Sequence, residues 1–160
     1  MLATVTTAAL AVVATLLGAI VSGRFQERAA ERGVRATHSE AIRRDRLDAV
    51  TALAAAISDH RRAMWGLGDA ILHGADTARV TALRAESHAT RSTVTHPMVA
   101  LRVLIEDQAV RAAADDMVAR TYAMRDAYTD TADLAAARET AKTAHDLFVD
   151  AAAHYLTRAA

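Results

Sequence analysis

Cysteine is absent from the 160-residue chain. That excludes disulfides, thiolate metal sites and a cysteine nucleophile, and it imposes no oxidising compartment. Proline occurs once, at Pro97, and there are only 6 glycines. So few helix breakers, in a chain that is 52% hydrophobic and dominated by alanine, predict an all-α fold. Aromatics make up 4%, so the core must come from Leu, Ile, Val, Met and Ala. Such cores bring helices close together but bury little area per residue. Lysine is nearly missing as well: Lys142 stands alone among the arginines. Formal net charge is zero. No basic face extends over the domain beyond residue 46, so no nucleic-acid partner is expected.

Long apolar runs are scarce too, with one exception. Leu2 to Gly23 reads LATVTTAALAVVATLLGAIVSG, without a charged side chain. As a helix it would be about 33 Å long, against a hydrocarbon core of about 30 Å. Residues 1–23 are therefore expected to form a transmembrane helix. A cleaved signal peptide is the rival reading, with Val21-Ser22-Gly23 as a weak cleavage site. No basic segment precedes the run, the run is too long, and arginines follow it at once.

Seven arginines and four acidic residues lie between Arg24 and Arg46, whereas 12 basic and 15 acidic residues lie from Leu47 onward. The positive-inside rule then puts the N-terminus outside and the rest of the chain in the cytoplasm, as a single-pass inner-membrane protein. Small residues at i, i+4 (Ala14, Gly18, Ser22) offer a face for helix association in lipid, and hence a route to a homo-oligomer. Arg24, Arg28 and Arg32 share one face, from which they would meet anionic headgroups. Residues 24–46 are read as a basic, juxtamembrane helical stalk.

From Leu47 the period becomes helical. Leu47, Val50, Leu53, Ile57, Met64, Leu67 and Ile71 make an apolar stripe that also carries His60, with Trp65 at its edge. Gly74 is its expected stop, and Asp76 or Thr77 caps the next helix. That helix, over about 77–105, should kink or break near Pro97, burying Met98–Ile105. Another starts at Glu106-Asp107 and runs to about Ala127. A last one spans about 131–158, capped by Thr129-Asp130-Thr131, with Leu134, Ala141, Leu147, Phe148, Tyr155 and Leu156 turned inward. The predicted architecture is a single transmembrane helix, a charged helical stalk, and a three- to four-helix antiparallel bundle over 47–160.

The chemistry of an enzyme is not legible. There is no HExxH, no phosphate-binding glycine loop and no GxSxG. None of Glu27, Glu31, Glu40, Glu86, Glu106 and Glu139 has His three residues on, as a ferritin-like carboxylate site requires. Asp146, Asp150 and His154 share one helix face, and that pattern reads first as a solvated surface. No catalytic residue, cofactor or metal is expected.

Two segments, AISDHRRAMW at 56–65 and LRAESHATRSTVTHPMVAL at 83–101, together with the N-terminal span, resemble small actinobacterial membrane proteins of the KilB-like family. That family is named for a conjugative-plasmid transfer and spread protein. The resemblance implies an inner-membrane protein connected with plasmid spread, and it supplies no catalytic residue to carry over. The expected function is a non-enzymatic, membrane-anchored helical scaffold with membrane lipid and other proteins as partners. Two alternatives are a membrane-perturbing protein of holin or toxin type, and a ligand- or metal-binding bundle using His60, His88 and the Asp146–His154 face.

Overall fold

The computed structural model describes the backbone of residues 2–158, and side chains at position 33 and over 37–158. It is all-α, with no strand among the described residues. The helices run in the order α1 (Leu2–Leu72), α2 (Thr77–Thr93), α3 (Thr95–Leu104), α4 (Gln108–Ala123) and α5 (Thr131–Arg158). A 3-10 turn, Met124–Ala127, continues α4.

The chain divides into two compact units, Met1–Ala41 and Ile42–Ala160. In the first, the side chains described at 33 and 37–41 are exposed, and Thr37 Oγ1 donates to the Gly33 carbonyl at 2.9 Å. The expected span at 1–23 lies outside the residues whose side chains are described. So do the small-residue face (Ala14, Gly18, Ser22) and the headgroup arginines (Arg24, Arg28, Arg32). Among the described residues, no helix is long and apolar enough to cross a membrane.

The second unit is a helical bundle whose element ends are set by local chemistry. α1 stops because Gly74 takes φ +68°, which costs glycine little and other residues more. The Gly74 N–H then donates to Ile71 O at 3.2 Å and the Ala75 N–H to Ala70 O at 2.9 Å, satisfying carbonyls the helix end would orphan. Three aspartates cap α2, α4 and α5. Asp76 accepts from the Arg79 N–H (2.8 Å), Asp107 from Ala109 and Val110 (2.9 and 3.2 Å), and Asp130 from Ala132 (2.6 Å). Between α2 and α3 the chain keeps helical angles at Val94, whose N–H reaches back to Arg91 O, at 3.2 Å, and to Ser92 O. Pro97, third residue of α3, removes one N–H and crowds the carbonyl four residues back, so the ladder must restart.

Pairwise contacts give the register. On α1, rising numbers meet falling numbers on α5. Arg46 lies over the Tyr155 ring, Ser58 hydrogen-bonds His145 at 3.3 Å, Trp65 carries Arg138, and Gly68 abuts Leu134. The same holds for α2 and α3, which run down α1 as one interrupted helix. Gly66 faces Leu83, Met64 meets Ser87, His60 meets Thr90, and Arg46 Nε donates to Leu104 O at 3.0 Å. With α4 and α5 joined as a hairpin, four helical columns result.

The main core joins Leu53 and Ile57 of α1, Leu101 of α3, Ile105 just past its end, Met117 of α4 and Phe148 of α5, all fully buried. Each of these contributes about 1.5–3 kcal/mol. Ala49, Ala56, Ala114, Ala144 and Ala152 sit among them and let the backbones approach. A second cluster, Met64, Met124, Leu134 and Ala141, closes the other end. Leu47 and Leu147, expected inside, are instead 48% and 59% exposed. At about 100° per residue, Leu47 lies about 120° from the centre of the stripe that the rest of α1 buries. Leu147 loses its place to the adjacent Phe148 and lines a shallow groove with Asp116 and Arg120.

Gly68 tests this packing. A methyl there would meet the Tyr128 ring at 2.6 Å and Leu134 at 2.8 Å. Gly68→Ala should cost about 1–3 kcal/mol in denaturant unfolding. Gly66→Ala, with only Leu83 at 3.9 Å, should be neutral or stabilising by about 0.5–1 kcal/mol. Equal effects at the two positions would contradict the register.

Candidate functional site

The site begins on the apolar stripe of α1. His60, Met64 and Leu67 fall at i, i+4, i+7 and form the floor of a cleft of about 250 Å³. α2 supplies one wall through Arg84, Ser87, His88 and Arg91, at i, i+3, i+4, i+7. Three further polar residues of α2, Arg79, Glu86 and Thr90, line a separate groove on its far side. The end of α4 and the 3-10 turn supply the opposite wall through Tyr122, Arg125 and Tyr128. The cleft lining thus holds three arginines and no carboxylate.

His60 is 2% exposed. Its Nδ1 lies 3.1 Å from Thr90 Oγ1, and that hydroxyl also reaches the Glu86 and Ser87 carbonyls at 3.1 Å each. A hydroxyl has one proton, and the carbonyls only accept. That proton goes to a carbonyl or to Nδ1 according to the imidazole tautomer, and either way Thr90 is the hydrogen-bond partner of Nδ1. Burial, then the Arg91 charge, hold the imidazole pKa down at about 4 against a backbone contribution from Ser87, with His88 adding to the depression. His60 is accordingly neutral near pH 7.

The aromatic walls are held from behind. The Tyr122 ring meets His60 edge-on, at 5.3 Å between ring centres and 86° between planes, and carries the Arg91 guanidinium at 4.4 Å. Tyr128 donates to the Met64 carbonyl at 2.8 Å, and burial pushes its hydroxyl pKa up to about 12, so the donor persists. Its ring occupies the space that Gly68 leaves open. Ser87 Oγ turns to Met64 Sδ at 3.3 Å.

Chemically, this is a cationic rim over an uncharged, aromatic and thioether floor. Such a site attracts anions and repels metal ions. His60 and His88, singled out in the sequence as ligand candidates, both line it. The Asp146–His154 face does not join them: Asp146, Asp150 and His154 are exposed on α5. Among the described residues, no three His, Asp or Glu side chains are grouped to hold a metal. Apolar periodicity gives no role to Arg84, Ser87 and Arg91. Their signal is a polar i, i+3, i+4, i+7 stripe that begins at Arg84 and continues through the segment AESHATRST.

A family model described as KilB plasmid transfer protein matches residues 47–156. The curated Protein KilB of Streptomyces lividans is 45% identical over 98 residues, a match covering 61% of this chain and 64% of that relative. The chain thus spans a little under two thirds of that relative's length. No solved structure matches.

The buried neutral His60 makes stability depend on pH. An unfolded histidine takes up a proton near pH 6.5, whereas the folded one resists it until about pH 4. The unfolded state therefore binds more protons across that window, and stability falls as pH drops from about 6.5 to 4. The loss attributable to His60 is about 3 kcal/mol. Denaturant titrations at intervals from pH 4 to 7 should show a shallower fall in His60→Gln than in the wild type. Parallel curves would contradict a neutral buried imidazole.

Proposed function

Because the chain belongs to the KilB plasmid transfer protein family, we propose that it acts in plasmid transfer or spread as a non-enzymatic, membrane-anchored interaction protein. The observation that carries this reading is where the family match falls. It covers 47–156, and the compact bundle unit covers Ile42–Ala160. The part shared with the family is thus the folded helical body. The uncharged run Leu2–Gly23 supports an anchor, and the arginines after it support an N-out, C-in topology. Tethering raises the effective concentration of a bundle for its protein partners at the membrane surface. The Ala14-Gly18-Ser22 ladder would pair two anchors.

Fractionation and reporter fusions test the anchor. The full chain should sediment with membranes and resist alkaline carbonate. A C-terminal alkaline phosphatase fusion should be inactive and a C-terminal fluorescent protein bright. Recovery in the soluble fraction, or an active C-terminal phosphatase, would contradict this topology. For the role itself, deleting the coding sequence from its host should lower conjugative plasmid transfer or spread between mycelia. Unchanged values for both would contradict it.

A further inference from the structure

Beyond a tethering role, the geometry points to a ligand site: the cleft between α1, α2 and the α4 end binds a small organic anion, its acidic head on Arg84 and Arg91 and its apolar body on Tyr122 and Met64. Charge selects the head. Arg84, His88 and Arg91 succeed one another along one face of α2, and Arg125 faces them from the opposite wall. Among the described residues, Arg84 and Arg91 have no carboxylate partner, whereas Arg125 is partly neutralised by Asp126 at 3.3 Å. Guanidinium forks fit carboxylate and phosphoryl oxygens through paired N–H donors. Two neighbouring acids face elsewhere: Asp59 and Glu86 line the groove on the other side of α2. In a chain whose net charge is zero, this is a local separation of charge.

The floor selects the body. His60 carries no charge, its Nδ1 is engaged by Thr90, and its ring packs edge-on against Tyr122. Tyr128 is tied to the Met64 carbonyl, so its polar end is satisfied and its ring remains as apolar wall. Arg91 already stacks on Tyr122 and is thereby held in position before any ligand arrives. The volume, about 250 Å³, lies just below the usual range of small-molecule pockets. It suits one or two fused rings with one acidic group, whether carboxylate or phosphoryl.

Naphthoate and naphthyl phosphate share a body and differ in head; naphthol and inorganic phosphate supply the body and the head alone. Titrated into the full chain in mild detergent and monitored by calorimetry, at least one of the two organic anions should bind saturably. It should bind at least tenfold more tightly than naphthol and inorganic phosphate, and more weakly as salt rises. The tighter of the two identifies the head. Arg84→Gln and Arg91→Gln should each weaken that binding at least tenfold with helical content unchanged by circular dichroism. Arg79→Gln, on the far side of α2, should leave it unchanged. The proposal is overturned if neither organic anion saturates, if inorganic phosphate binds as tightly as the better one, or if both cleft variants bind like wild type.

Discussion

The second unit depends on one stretch of α1 being packed from two sides at once. Between Ala49 and Leu67 this helix buries a stripe of Val50, Leu53, Ile57, Met64 and Leu67, with His60 set inside it. α5 descends along one side and the interrupted α2–α3 helix along another. The alanines Ala49, Ala56, Ala144 and Ala152 permit that double approach. A chain with so few aromatics gains little from any single side chain. It compensates by bringing backbones close and by locking register with paired polar contacts along both seams.

The polar contacts obey the same logic. Burying an imidazole is costly unless its N–H is satisfied. Thr90 partners the Nδ1 of His60, and in doing so ties α2 to α1 midway along their length. Tyr122 on α4 closes the third side, and Arg91 from α2 lies across its ring. Three helices thus meet around one neutral histidine. The cationic rim of the cleft arises from the same geometry. The α2 face adjoining that seam carries Arg84, Ser87, His88 and Arg91, while Glu86 is rotated into the other groove.

Much of this is legible in the chain. Element ends are set by local chemistry, so Gly74, Asp76, Asp107 and Asp130 mark them, and α5 runs over the expected 131–158. The break expected near Pro97 falls at Val94, because the proline ring disturbs the turn before it. Leu47 and Leu147 mislead because apolar residues flanking a stripe satisfy the period almost as well as those within it. The cleft is hidden for a different reason: its α2 wall is a polar stripe, and its three walls come from separate helices that only the folded chain brings together. Even so, the segments 56–65 and 83–101, which carry the family resemblance, supply His60, Met64, Arg84, Ser87, His88 and Arg91. The expected anchor and its neighbouring arginines fall outside the described side chains, so Leu2–Gly23 rests on hydropathy and charge asymmetry.

The family relationship places the folded body within plasmid transfer proteins, and the physical claim beneath it is that this body is one cooperative unit built on α1. Native-state hydrogen exchange on the full chain in mild detergent tests that claim most directly. Amides of residues 50–67 in α1 and 141–152 in α5 should exchange through one common opening, with the same free energy and the same denaturant dependence. An α4–α5 hairpin that stays protected after the α1 amides have exchanged would contradict it.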